Sequence, residues 1–206
     1  MSPSAFLSRV FRPLLLLLLS GHPVNAQAAS SLRAGDIIFH TSRSAQSQAI
    51  QRATHSPYSH VGLVFYRDGK PFVFEAIATV RYTPLAQWVA RGAEGEYVVK
   101  RLKNSLTSAQ ADKLRLAAEK HAGKPYDLYF EWSDARIYCS ELVLKAYRDA
   151  LGVELGARQK LRDFDLSDPL VRAKMRERYG DDVPMNEPVI SPAALFESRE
   201  LVNLRP

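Results

Sequence analysis

The stretch "SPYSHVGLVFYRDGKPFVFEAIA", residues 56–78, decides how this chain is built. Two apolar runs, His60–Tyr66 and Pro71–Ala78, are joined by "RDGK". Asp-Gly between such runs is the strongest short-range hairpin signal. With a two- or four-residue turn centred on Asp68-Gly69, Gly62 opposes Glu75 and His60 opposes Ile77. Val61, Leu63, Phe65, Phe72, Phe74 and Ala76 then share one uniformly apolar face, the expected core. His60, Gly62, Val64, Val73, Glu75 and Ile77 share the other. On that face His60 and Glu75 are diagonal neighbours, about 7–8 Å apart at the backbone and within side-chain reach. Gly62 between them leaves space beside the imidazole. A three-residue loop would slip the register by one and part the pair.

The second informative stretch is "DARIYCSELVLKAYRDALG", residues 134–152. Leu142, Val143, Ala146, Tyr147 and Leu151 recur at helical spacing, and Gly152 supplies the stop. Cys139, the only cysteine in 206 residues, falls in the first turn of this helix. Unpaired N–H groups and the helix dipole favour negative charge there, and a neighbouring imidazolium is the other standard means of lowering a thiol's pKa. The same N–H groups suit an oxyanion. The expected working set is Cys139 as nucleophile, His60 as base and then acid, and Glu75 orienting the ring.

Around these stretches, Ile37–His40 reads as a strand after a Gly35-Asp36 turn, and "EYVVKRL" as another. "SRSAQSQAIQRAT" is helix-compatible, with Ala45, Ile50 and Ala53 as inner residues. "TPLAQWVARG" reads as a short helix with Thr83 as N-cap, Pro84 at its first position and Gly92 as its stop. "LTSAQADKLRLAAEKHAG" is a helix with Leu114, Ala117, Ala118 and His121 on one stripe. "GKPYDLYFEWSD" is an aromatic loop, the tail is polar, and "ISPAAL" opens a last helix at Ser191-Pro192. There are no repeats and no βαβ alternation, so the class is α+β.

The chain opens with Arg9 and Arg12, no acid, and a leucine run from Pro13 to Leu19 followed by small residues. A cationic start, an apolar run shorter than the roughly 20 residues of a span, and an A-x-A-like exit describe a cleavable signal peptide over residues 1–28. Residues 29–206 are then expected to form one exported domain, periplasmic or secreted. No later segment is long and apolar enough to cross a membrane. The formal charge is +6, or +4 without Arg9 and Arg12, too small to argue for nucleic acid. In an oxidising compartment an unpaired cysteine points to a reactive thiol or an intermolecular bridge.

Rival readings remain at this stage. Packing explains many lone cysteines, and His40, His55 and His121 compete with His60 as partners of the thiol. Zinc is poorly supported, since no H-x-x-x-H or C-x-x-C pair occurs, and no metal or other cofactor is expected. Ser59, Ser140 and Ser191 lack a G-x-S-x-G context.

"GDIIF", "SHVGLVF" and "YCSELV" resemble the three signature segments of NlpC-type papain-fold hydrolases. The common members place the cysteine helix first; here it comes last, as in the circularly permuted branch. "SPYSHVG", "YCSEL" and the closing "ISPAAL" are most similar to YiiX/YaeF-like permuted papain-fold amidases, from Gly35 to Leu201. The resemblance implies a permuted papain-like fold, an antiparallel sheet against helices, and a cysteine amidase or peptidase. It places nucleophile, base and third polar residue on Cys139, His60 and Glu75. Two departures stand out: the third residue is an acid 15 positions after the base rather than a His, Asn or Gln about a dozen on, and the first strand ends "FHT" where "FQT" is usual. His40 is therefore an unexpected second imidazole. Tyr126 and Tyr138 fall where such folds place cleft-wall aromatics, and with Ser140 and His40 they are the expected substrate-binding residues. The implied substrate is a peptidoglycan-derived peptide or similar amide. A lipid-directed thiol acyltransferase and a non-catalytic peptide-binding module are the alternatives.

Overall fold

The computed structural model describes residues 32–204; the leader-like residues 1–28 lie outside them. Strands β1 (Ile37–His40), β2 (His60–Arg67), β3 (Lys70–Ala76), β4 (Val80–Pro84), β5 (Val98–Leu102) and β8 (Leu201–Leu204) form one sheet in the order β4-β3-β2-β1-β5-β8, antiparallel throughout. Helices α1 (Ala45–Thr54), α2 (Leu85–Ala90), α3 (Ser108–Glu119), α4 (Cys139–Leu151), α5 (Pro169–Tyr179) and α6 (Pro192–Phe196) surround it, and β6 (Gln159–Lys160) pairs with β7 (Pro188–Val189). The architecture is α+β, as the sequence implied.

The hairpin register is the expected one. Leu63 faces Phe74 and Arg67 faces Lys70, leaving Asp68 and Gly69 as a two-residue turn. Both turn residues have positive φ (50° and 71°), the conformation that Asp-Gly favours and that matches strand twist. Val61, Leu63, Phe65, Phe74 and Ala76 pack with Leu142, Val143, Ala146 and Tyr147 of α4 and Leu114 and Ala118 of α3. The opposite face is also buried, which the hairpin pattern did not anticipate. There Val64 and Val73 join Ile38, Val99, Leu85, Val89 and the fully buried Trp88 under α2. Burying side chains of this size contributes about 1.5–3 kcal/mol each.

Gly62 serves this second core. A Cβ on it would lie 2.4 Å from Val73 Cγ1 and 3.0 Å from the Phe74 carbonyl oxygen. The Gly35-Asp36 turn has a structural explanation too. Gly35 sits at φ 90°, and its carbonyl accepts from the Tyr147 hydroxyl at 2.5 Å. Asp36 takes Arg101 Nε and Nη2 at 2.6 and 2.7 Å and the Arg33 N–H at 2.7 Å, which locks the turn onto β5.

Several local expectations are corrected. Thr83 does not cap α2; it belongs to β4, and its hydroxyl donates to Glu75 Oε1 at 2.6 Å. The inner face of α1 carries Ser47 and Ala49 while Ala45 is exposed, because Ser47 bonds the buried Ser59 of the segment leading into β2. The polar tail contains α5, capped by Asp168 with Pro169 at its first position, and the edge strand β8.

Candidate active site

Three elements deliver the site. The first residue of β2 supplies His60, the far end of β3 supplies Glu75, and the first turn of α4 supplies Cys139. The hairpin register puts the imidazole beside the carboxylate, and His60 Nε2 lies 2.6 Å from Glu75 Oε2. The other ring nitrogen is left for Cys139, whose side chain is hydrogen-bonded to the His60 ring. Backbone N–H groups of Val61 and Ser140 also donate to the sulfur. A strand end and a helix N-terminus therefore converge on one atom.

Electrostatics follow from this convergence. Burial alone would raise the Cys139 pKa, but the His60 hydrogen bond and charge, with the two backbone donors, hold it below the ordinary thiol value. Burial pulls His60 down, yet the bonds to Cys139 and Glu75 outweigh it and raise the imidazole to about 9. Burial would raise Glu75, which is wholly enclosed; His60, Thr83 and Arg91 around it bring the carboxyl down to about 2. Arg91 Nη2 bonds Glu75 Oε1 directly. Together these shifts favour charge separation between the Cys139 sulfur and the His60 ring, which an ionised Glu75 carboxylate orients.

Tyr126 lies beside the sulfur and lines the same depression as Cys139. Its hydroxyl accepts from Gln46 Nε2 at 3.1 Å, which directs its own proton elsewhere, and it is hydrogen-bonded to the Cys139 side chain. Burial, and after it the nearby thiolate, raise its pKa well above that of a free phenol, so it remains a donor. Tyr138 and Ser140 turn their hydroxyls to Ile190: the Tyr138 oxygen accepts from the Ile190 N–H at 3.1 Å, and Ser140 donates to the Ile190 carbonyl at 2.8 Å. His40 is buried and stacked on Trp88 with centroids 4.0 Å apart, and its Nδ1 has no partner. Burial first, then the cationic His60 and Arg91, lower its pKa to about 3. Of the rival histidines, His55 pairs with Asp165 at 3.1 Å on the surface and His121 lies 3.0 Å from Lys124 Nζ. Neither reaches the thiol.

Two depressions meet at this point, divided by Gln46, Ile50 and Tyr126. One is an apolar recess of 80 Å³ walled by Cys139, Tyr138, Phe130, Leu161, Met175 and Val189. The other is a cleft of 390 Å³ walled by the polar side chains of His60, His40, Ser42, Ser59 and Arg91 and by the apolar Ala76, Ile77 and Leu128. Cys139 is only 2 % exposed, and it faces the first of these. Sequence reasoning missed Thr83, Arg91 and Gln46, whose roles depend on how separate elements pack.

Comparison with known proteins adds an independent line. Residues 31–204 match the model of a family described as permuted papain-like amidase enzyme, YaeF/YiiX. The chain is 50% identical over 193 residues to the Escherichia coli protein named uncharacterized protein YiiX, across 94% of each. It is also similar, at TM-score 0.82 and 53% identity, to a crystal structure of metalloprotein yiiX from Escherichia coli, over 84% of this chain and 96% of that one.

Proposed function

The chain belongs to the permuted papain-like amidases of the YaeF/YiiX family, and on that premise we propose that it is an exported cysteine amidase acting on amides of cell-wall peptides through Cys139, His60 and Glu75. The observation that carries this reading is the unbroken chain of hydrogen bonds from Glu75 through His60 to the sulfur at the tip of α4. The leader-like residues 1–28 and the single thiol support export to the periplasm or beyond.

The thiolate of Cys139 adds to the amide carbonyl carbon, and the π electrons move onto oxygen. The α4 N-terminal N–H groups and the Tyr126 hydroxyl stabilise that oxyanion. As it collapses the C–N bond breaks, and the departing nitrogen takes the proton of the His60 imidazolium. Neutral His60 then removes a proton from water, whose hydroxide adds to the thioester. Loss of the thiolate releases the acid and restores the ion pair. Glu75 remains ionised throughout and holds the ring in place.

The word metalloprotein in the relative's description calls for a test of fit. Among the described residues no three His, Cys, Asp or Glu side chains are grouped to hold an ion. Glu75 already serves His60, Thr83 and Arg91. The site does not fit a metal, and no step passes through one.

A second reading, lipid-directed acyl transfer, gains some support from the apolar recess beside the thiol. Its size limits that support. Engineered apolar cavities of about 150 Å³ accept benzene, and the recess at 80 Å³ suits an apolar side chain or a short acyl group rather than a long one. The deciding experiment incubates the purified protein with muropeptides and with phospholipids in parallel, then reads the mass of the peptide containing Cys139. A thioester from muropeptides alone supports the amidase; one from phospholipid alone replaces it with the lipid reading. No adduct with either, together with unimpaired ligand binding by Cys139→Ala, leaves a binding module and refutes catalysis.

A further inference from the structure

The larger cleft beside His60 contains a cation that the mechanism does not need in contact with substrate. Arg91 follows α2 at its C-terminal end, where the dipole favours positive charge. Its side chain is 33% exposed, and it lines the cleft with Ser42, Ser44, Ser59 and His60. A guanidinium offers five N–H donors. Glu75 takes one on Nη2, and Nε is buried without a partner. The Nη1 side is not engaged by Glu75. Among the described residues the one carboxylate against Arg91 is Glu75, which His60 and Thr83 share.

The order of bond breaking decides which part of a substrate occupies this cleft. His60 must reach the departing nitrogen, so the amine component leads away past the imidazole. The cleft containing His60 is therefore the leaving-group side, and the recess containing Cys139 but not His60 is the acyl side. We infer that Arg91 reads a carboxylate on the amine component, so that the preferred amide joins an acyl part bearing a small apolar group to an amino acid or short peptide with a free carboxyl. A planar guanidinium forms charge-assisted, directional bonds to a carboxylate. Substrates lacking that group leave the exposed donors to water and gain nothing from them. This inference rests on the reading of Cys139 as a thiolate nucleophile and adds the chemistry of what departs.

The test uses ligand protection, which needs no turnover. Cys139 of the purified full chain is alkylated with iodoacetamide in the presence of dipeptides with free carboxylates, such as leucyl-glycine, or of the matching dipeptide amides. The free acids are expected to protect at concentrations at least about tenfold lower than the amides, the scale of one charge-assisted bond. Arg91→Met should abolish that difference, and Arg91→Lys should keep part of it. A merely structural Arg91 would change protection by both members of a pair equally. Equal protection in the wild type, no protection by either form, or a preference that survives Arg91→Met overturns the inference while leaving the nucleophile intact. A Cys139 that alkylates no faster than a free thiol overturns the catalytic reading itself, and this inference with it.

Discussion

Replacing Glu75 with Gln keeps the side-chain volume and removes one buried charge. The thiol and imidazole titrate as a pair, so activity should follow a bell whose acid limb reports protonation of the thiolate and whose alkaline limb reports loss of the imidazolium proton. The wild-type alkaline limb is expected near 9, the value to which Cys139 and Glu75 raise His60. A hydrogen bond to a charged group is worth about 1.5–3 kcal/mol, which is about 1–2 pKa units at 1.36 kcal/mol each. The sign is fixed. Removing the anion at 2.6 Å destabilises protonated His60, so its pKa falls and the alkaline limb moves down by about 1–2 units. Arg91, freed of its carboxylate partner, adds repulsion in the same direction. Iodoacetamide alkylation of Cys139 and kcat/KM, each measured from pH 4 to 10, provide two independent profiles. Thermal unfolding of the same sample separates a titration change from misfolding. An alkaline limb that stays in place in a folded Glu75→Gln protein would refute the assignment of Glu75 to the imidazole.

Tyr126→Phe removes the hydroxyl bonded to the sulfur and should lower kcat by about 100-fold or more with little change in KM, the signature of a lost oxyanion donor; a rise in KM alone would assign Tyr126 to binding instead. Gly62→Ala forces a methyl against Val73 and the Phe74 carbonyl and should cost about 1–3 kcal/mol, read as a lower urea midpoint. Asp36→Asn removes the charge from the paired contact with Arg101 that locks the Gly35-Asp36 turn and should destabilise by about 1.5–3 kcal/mol on the same assay, without moving either limb of the pH profile.

The parts legible in the sequence are those fixed by local rules. Asp68-Gly69 set the turn, and a period of two then placed Glu75 beside His60 with no further information. The stripe from Leu142 to Tyr147 placed Cys139 at a helix start. β4 was harder to read because "VRYTP" runs into Pro84, so Thr83 looked like a cap when its hydroxyl belongs to Glu75. α5 buries only Val171 and is held at its start by Asp168 and Pro169, so it carries almost no periodic signal. β8 is an edge strand with one buried residue, Leu201. Arg91 and Gln46 escaped because α2 and α1 carry them to the site by tertiary packing, which no local pattern encodes.

The second imidazole shows why one of two neighbouring histidines can titrate and the other cannot. The His40 and His60 rings face each other across paired strands with centroids 5.2 Å apart. Only His60 has an anion on each side. His40 has the indole of Trp88 on one face and the cationic His60 and Arg91 nearby, with Glu75 as the weaker opposing influence. Burial and like charge therefore keep it neutral at any working pH, its pKa being lowered to about 3. Gly92 is needed beside it, since a Cβ there would lie 3.2 Å from His40 Nδ1. A neutral ring contributes no net charge to the pair, so His40→Gln should leave both limbs of the pH profile where they are, whatever it does to the rate. If instead a limb shifts by a unit or more, His40 carries a proton during turnover, and the assignment of the single titrating imidazole to His60 fails.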